Sequence, residues 1–191
     1  RDPALVINFY NERRKQLLDV TPNRGHELLA ELEKNFNVTV ITQNVDNLHE
    51  RAGSSHIIHL HGELTKVCSS RDPYNPHYIK ELKPEEYEVK MGDKAGDGTQ
   101  LRPFIVWFGE AVPEIETAVR YVEKADIFVI IGTSLNVYPA AGLLHYVPRG
   151  AEVYLIDPKP VDTHTSRSIH VLRKGASEGV EELKQLLIPA P

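Results

Sequence analysis

Short apolar runs, each stopping at a glycine or a polar turn, constrain this chain most. They are Val38-Thr39-Val40-Ile41 before Thr42-Gln43-Asn44, and His56-Ile57-Ile58-His59-Leu60-His61 before Gly62. Phe104-Ile105-Val106-Trp107-Phe108 stops at Gly109, Ile127-Phe128-Val129-Ile130-Ile131 at Gly132, and Glu152-Val153-Tyr154-Leu155-Ile156 at Asp157. Runs this short and this apolar read as strands buried on both faces, the property of a parallel sheet covered by helices. Helical periodicity fills the gaps, at residues 3–18, 26–34 (behind Asn23), 114–124, 139–146 and 178–187. The alternation predicts an α/β fold, an open, doubly wound, Rossmann-like parallel sheet.

One stretch breaks the rhythm. Residues 66–100 are polar and rich in turn signals such as Asp72-Pro73, Asn75-Pro76 and Lys83-Pro84, and carry the charge run Glu85-Glu86-Tyr87-Glu88. They are expected to form a small insertion within one catalytic domain spanning 1–191. With 22 basic against 27 acidic residues, a net charge of −5 argues against a protein that works by neutralising phosphates of nucleic acid. The single cysteine, Cys68, cannot form an internal disulfide, and the apolar run at Ile127 is far too short to span a bilayer. The expectation is a cytoplasmic monomer acting on a small molecule or a protein, with no nucleic-acid or membrane partner.

In open parallel sheets ligands bind beyond the carboxyl ends of the strands. Gln43-Asn44-Val45-Asp46, His61-Gly62, Phe108-Gly109-Glu110, Gly132-Thr133-Ser134 and Asp157-Pro158-Lys159 all follow strand-like runs. Each alone has a bland reading as a helix cap, an ordinary turn or a structural histidine. Their concurrence at successive strand ends points to a site. Gly132-Thr133-Ser134 could hold a phosphate on backbone amides, though it is neither a Gly-x-Gly-x-x-Gly fingerprint nor a P-loop. His59 and His61, two apart on a strand, share a face and rival each other as a catalytic base.

These residues carry a resemblance. Residues 42–53 (TQNVDNLHERAG), Leu60-His61-Gly62, residues 102–110 (RPFIVWFGE) and Ile131-Gly132-Thr133-Ser134-Leu135 resemble the signatures of the sirtuins, NAD-dependent protein-lysine deacylases. The resemblance implies that NAD is the co-substrate and that the acyl group of a modified lysine ends on ADP-ribose as nicotinamide leaves. It selects His61, immediately before the glycine, as the general base, a role imidazoles suit because they exchange protons near neutral pH. It places Asn44 on the nicotinamide ribose and a water, Asp46 on the nicotinamide amide, and Gln43 on the ribose, with Val45 between them. Gly132, Thr133 and Ser134 would contact the adenosine half and phosphates, and Ala176 the adenine. Asp157, followed by Pro158 and Lys159, stands where the family commonly has Asn; a carboxylate can still accept from ribose hydroxyls. Val106, Phe108 and Gly109 resemble the strand that pairs with an extended substrate peptide.

The segment Phe9-Tyr10-Asn11-Glu12-Arg13-Arg14 is similar to that of desuccinylase-type sirtuins, in which a Tyr and an Arg three residues later face the acyl pocket. Tyr10 and Arg13 share a helix face, and a guanidinium with a phenol hydroxyl suits the carboxylate of a succinyl or malonyl group; Arg13 also reads as one of three consecutive solvated cations. Most sirtuins hold a structural zinc on four cysteines, whereas here Cys68 is followed by Ser69 and Ser70. No zinc is therefore expected, and the insertion should be a remnant of the zinc module. The family also begins with a strand and a glycine-rich cofactor loop that this sequence is expected to lack. The expected activity is removal of acetyl, succinyl or malonyl groups from protein lysine, yielding O-acyl-ADP-ribose. Its rivals are a non-catalytic NAD or ADP-ribose binding module and a protein ADP-ribosyltransferase.

Overall fold

The structure, a computed structural model, describes residues 2–133, 135–163 and 165–188. In chain order its elements are α1 (Pro3–Asp19), α2 (Arg24–Leu32), β1 (Val40–Thr42), α3 (Leu48–Ala52), β2 (Ile57–His59), β3 (Gly62–Ser69), β4 (Lys80–Glu81), β5 (Leu101–Ile105), α4 (Ile115–Val122), β6 (Ile127–Ile131), β7 (Glu152–Ile156), β8 (His170–Leu172) and α5 (Ala176–Leu187). They divide into two compact units, one of Pro22–Gln43, Leu48–Leu60 and Val112–Pro191, the other of Arg1–Thr21, Asn44–Asn47 and His61–Ala111.

The larger unit is the parallel, Rossmann-like part. β1 pairs parallel with β2, and β6, β7 and β8 form a parallel sheet in that order. Ile58, Ile130, Val153 and Leu155 from these strands, with Leu60 just after β2, pack with Ala118 and Val122 of α4 and with Leu143 and Leu144 in one core. A second core joins Leu28 of α2, Ile156, and Val180 and Leu183 of α5. α2 starts where Asn23 predicts it: the Asn23 side chain accepts from the His26 amide at 3.2 Å, and His26 Nδ1 accepts from the Asn23 amide at 3.2 Å, a capping box with imidazole in the usual Glu place. α5 lies so close to β7 that a Cβ on Gly179 would stand 2.2 Å from Ile156 Cγ2.

In the smaller unit α1 packs on the antiparallel sheet β4-β3-β5. Asp2 caps α1 by accepting from the Leu5 amide at 3.0 Å, with Pro3 in the first turn, where its missing N–H costs nothing. Ile7 meets Val67 and Val89 in the core. Arg14, one of the cations read as a solvated shoulder, is only 2 % exposed. It donates to the Tyr87 carbonyl (2.7 Å), the Leu64 carbonyl (3.4 Å) and Asn11 Oδ1 (2.7 Å), and burial pulls its pKa down to about 10. Asn11 exchanges bonds with both backbone groups of Val89, at 2.8 and 3.0 Å. These two side chains tie the polar stretch 66–100 to α1.

Ser69, fully buried at the end of β3, is the other anchor of that stretch. Its hydroxyl donates to Asp97 at 2.7 Å, lies 3.0 Å from the Thr99 hydroxyl, and accepts from the amides of Arg71 and Asp72. Thr99 also donates to Asp97, at 2.7 Å. Hydrogen bonds from Ser69 and then Thr99 pull the Asp97 carboxyl down to about 2.

Three elements differ from the sequence expectation. The run at Phe104 is not a strand of the parallel sheet: β5 ends at Ile105 and runs antiparallel to β3. The chain then turns, with the Glu110 amide bonded to the Trp107 carbonyl and Gly109 at φ +89°, leaving Phe108 fully exposed. Apolar content there does not mean core. Gly62 opens β3 rather than closing β2, and residues 140–146 form a 3-10 rather than an α-helix. Among the described residues no helix is long and apolar enough to cross a membrane.

Candidate active site

Of the residues singled out, the larger unit holds Gln43, Gly132, Thr133, Asp157, Pro158, Lys159 and Ala176; Ser134 lies outside the described residues. Gln43, directly after β1, donates from Nε2 to Thr133 Oγ1 at 3.3 Å, which brings the carboxyl ends of β1 and β6 together. Gly132 bonds through its amide to the Ile156 carbonyl at 3.0 Å. Its φ is +60°, and none of the described residues lies within 4 Å of the place a Cβ would take. A left-handed glycine with open space on that side lets a ligand approach the main chain closely. Leu135 also has positive φ, +56°, and its amide donates to Thr133 Oγ1.

At the end of β7, Asp157 accepts from the Lys159 amide at 2.8 Å through one carboxylate oxygen, a local turn that positions the other oxygen. Pro158 and Lys159 are exposed beyond it. Ala176 is the first residue of α5, which begins two positions before the periodicity suggests, behind Gly175 with no side-chain cap. An amide, a hydroxyl, an open glycine turn and a carboxylate at the ends of parallel strands fit the hydroxyl-rich, phosphate-bearing form of a dinucleotide such as NAD.

The smaller unit holds Asn44, Val45, Asp46, His61, Tyr10, Arg13, Val106, Phe108 and Gly109. The Val45 carbonyl accepts from the Leu64 amide at 2.7 Å and the His61 carbonyl from the Val106 amide at 2.9 Å. Both flank the entry to β3, so the Asn44-Val45-Asp46 turn, the histidine and the residue after β5 share one backbone framework. Gly62 makes this possible: its φ is +86°, and a Cβ there would stand 2.1 Å from the Phe104 carbonyl oxygen. His59, the rival base, belongs to the other unit and sits 2.6 Å from Glu50, whose carboxyl it helps hold below the usual range against the opposing effect of burial.

Tyr10 and Arg13 are not hydrogen-bonded to each other. Arg13 is exposed, donates to Gln16 at 3.0 Å and lies over the Phe9 ring, its Cζ 5.1 Å from the centroid. Tyr10 accepts from the Trp107 indole N–H at 3.0 Å. Arg102, Trp107 and Glu110 belong to the 102–110 motif but carry no expected role from sequence. Arg102 is 8 % exposed and donates to both oxygens of Glu110, at 2.7 and 3.0 Å. This pairing holds the Glu110 carboxyl below the usual range. The signal was present as an Arg and a Glu eight residues apart on either side of an apolar run, but only folding the turn brings them face to face.

A structural zinc does not fit the residues around Cys68. The thiol is buried, donates to the Pro103 carbonyl at 3.7 Å, and is pushed up to about 11 by burial. Ser69 beside it is committed to Asp97 and Thr99, and no set of three ligand-type side chains gathers around Cys68 among the described residues.

A family model described as the Sir2 family matches residues 1–139. An NAD-dependent protein deacylase of Bacteroides thetaiotaomicron is 98% identical over 191 residues, covering 100% of this chain and 82% of that protein. One of Helicobacter pylori is 48% identical over 188 residues, covering 98% and 80%. Among solved structures, a mutant Sir2 homologue in complex with ADP-ribose superposes with a TM-score of 0.84 at 35% identity, over 100% of this chain and 78% of that one.

Proposed function

The chain belongs to the Sir2 family, and from that premise we propose that it removes acyl groups from protein lysine in an NAD-dependent reaction whose substrates include succinyl- and malonyl-lysine as well as acetyl-lysine. The observation that carries the reading is the backbone bond from Val106 to His61. It ties the candidate base to the strand end on which a substrate peptide would pair.

NAD supplies the sugar carbon that takes the acyl oxygen as nicotinamide departs. In this reading His61 accepts a proton from a ribose hydroxyl, which makes that oxygen a nucleophile. Asn44 and Asp46 orient the nicotinamide ribose and amide, and the Gly132-Thr133 turn with Gln43 and Asp157 holds the remaining hydroxyls and phosphates. The main chain at Val106 to Gly109 holds the peptide through backbone bonds, which accounts for affinity with little sequence preference. Arg13 uses one of its five donors on Gln16 and keeps the rest for an acyl carboxylate.

The test follows nicotinamide release and peptide mass with acetyl-lysine and succinyl-lysine versions of one peptide. The expected result is turnover of both by the full-length enzyme and loss of turnover in His61→Ala, with ADP-ribose binding by calorimetry retained. His61→Ala turning over as fast as the unmodified enzyme sinks the assignment of the base. Tight ADP-ribose binding with no nicotinamide release from any acylated peptide makes the protein a binding module instead.

A further inference from the structure

Trp107, the chain's one tryptophan, is held at three points. Its amide donates to Glu110 Oε2 at 2.8 Å. Its ring lies against the Arg102 guanidinium, with Cζ 3.5 Å from the centroid. Its indole N–H donates to the Tyr10 hydroxyl at 3.0 Å. Arg102 is itself immobile, since Glu110 and the Ile105 carbonyl (2.7 Å) take its donors. A planar guanidinium stacked on one face leaves the indole no freedom to swing.

The indole N–H is a donor only, whereas a phenol hydroxyl both donates and accepts. With a lone pair of Tyr10 taken by Trp107, the hydroxyl proton must point elsewhere. Among the described residues no acceptor takes it, the Trp107 bond being the one hydrogen bond the Tyr10 hydroxyl makes. The result is a donor of fixed direction on the helix face that also carries Arg13. An acetyl group offers no charged oxygen at its end to such a pair; a succinyl or malonyl group does.

We propose that Trp107 is a specificity-positioning residue: it aims the Tyr10 hydroxyl proton at the carboxylate of a dicarboxylic acyl group, while Arg102 and Glu110 hold the indole in place. The proposal rests on the succinyl and malonyl reading above.

The experiment measures kcat and KM of the full-length enzyme with NAD and the two acylated forms of one peptide, for Tyr10→Phe, Trp107→Phe and the double variant. Tyr10→Phe is expected to lower the succinyl-to-acetyl ratio of kcat/KM roughly ten- to a hundredfold, the range for a hydrogen bond to a charged group. Trp107→Phe lowers the same ratio roughly three- to tenfold, chiefly through the succinyl KM, as for a neutral hydrogen bond that only orients. The double variant is no worse than Tyr10→Phe, because the indole acts through the phenol. If Trp107→Phe depresses both substrates equally, or the two effects multiply, the tryptophan only packs and the proposal is overturned while the acyl-carboxylate reading stands. If Tyr10→Phe and Arg13→Met leave the ratio unchanged, both fall. A second measurement leaves Trp107 intact: its emission should shift when succinyl-lysine peptide binds the unmodified enzyme and shift less in Tyr10→Phe. An equal shift in the two overturns the proposal.

Discussion

Replacing Gly62 by alanine tests the frame on which the candidate base stands. At φ +86° a Cβ costs about 1–2 kcal/mol on backbone conformation alone. The new atom would also stand 2.1 Å from the Phe104 carbonyl oxygen, about 0.9 Å inside the 3.0 Å that real Cβ atoms keep. The obstacle is main chain and cannot rotate away, so β5 must move off β3, at a further cost of about 1–3 kcal/mol typical of overpacking. The total, about 2–5 kcal/mol, should lower the urea midpoint by roughly 1–2.5 M at a slope of about 2 kcal/mol/M. Because the Val106 amide bonds the His61 carbonyl next to the displaced segment, kcat/KM should fall at least tenfold even in protein that is still folded. Urea unfolding followed by far-ultraviolet dichroism, with turnover of acetyl peptide at a temperature where the variant is native, measures both. A variant within about 0.5 kcal/mol of the parent and equally active would refute the idea that this glycine sets the position of His61.

Further outcomes follow from other contacts. Arg14→Met leaves the Tyr87 and Leu64 carbonyls without their donor and should cost about 2–4 kcal/mol in denaturant unfolding, unlike a shoulder cation, whose loss would be within error. Gly179→Ala should destabilise by about 1–3 kcal/mol through the 2.2 Å approach to Ile156, read in the same unfolding curves. Asp97 has a folded pKa of about 2 against 3.8 for the free group, so the stability it contributes is fully present above pH 3.8 and fades as pH falls towards 2. The acid-unfolding profile of Asp97→Asn should therefore lose that dependence between about pH 4 and 2, and a profile parallel to the parent's would contradict the Ser69 and Thr99 bonds as its cause. Prolonged chelation should leave the melting temperature unchanged, since Ser69, Asp97 and Thr99 hold the polar stretch by hydrogen bonds; a fall of several degrees on chelation would refute it.

The parallel strands were legible because their runs are continuously apolar over four to five residues, buried from Val153 to Ile156 in β7 and half-buried to buried from Ile127 to Ile131 in β6. The cap at Asn23 was legible for the same reason, since its partner is His26, three residues on. What failed to read from pattern was long-range. The apolar run after Pro103 has the composition of a core strand, yet a turn closed by Glu110 sends Phe108 into solvent. Arg14 carries the same letter as Arg13, and only the docking of the Tyr87 carbonyl, 73 positions away, decides that one is interior and the other exposed. The strand-end polar residues were legible as a group, while the partners that fix them, such as Thr133 for Gln43 across 90 positions, required the fold.

Two motifs show how structure and chemistry interleave along a chain. Between Phe9 and Arg14, Asn11 and Arg14 satisfy the backbone of residues 64, 87 and 89, while Tyr10 and Arg13 are the pair to which the proposal gives an acyl carboxylate. Between Arg102 and Glu110, the terminal pair closes the turn while Val106, Trp107 and Phe108 occupy its inside and its exposed tip. A residue that aims a ligand group needs a neighbour that cannot move, and the immobile neighbours here are buried cations with every strong donor committed. Arg102 and Arg14 are both under a tenth exposed, and each is held by carbonyls or a carboxylate of the smaller unit. A guanidinium fills this role where lysine would not, because its planar fork reaches several acceptors at once and still presents a flat face for an aromatic ring. Arg102→Lys should therefore keep the charge opposite Glu110 and lose the platform beneath Trp107, so the consequence for succinyl-lysine selectivity exceeds the consequence for the ion pair.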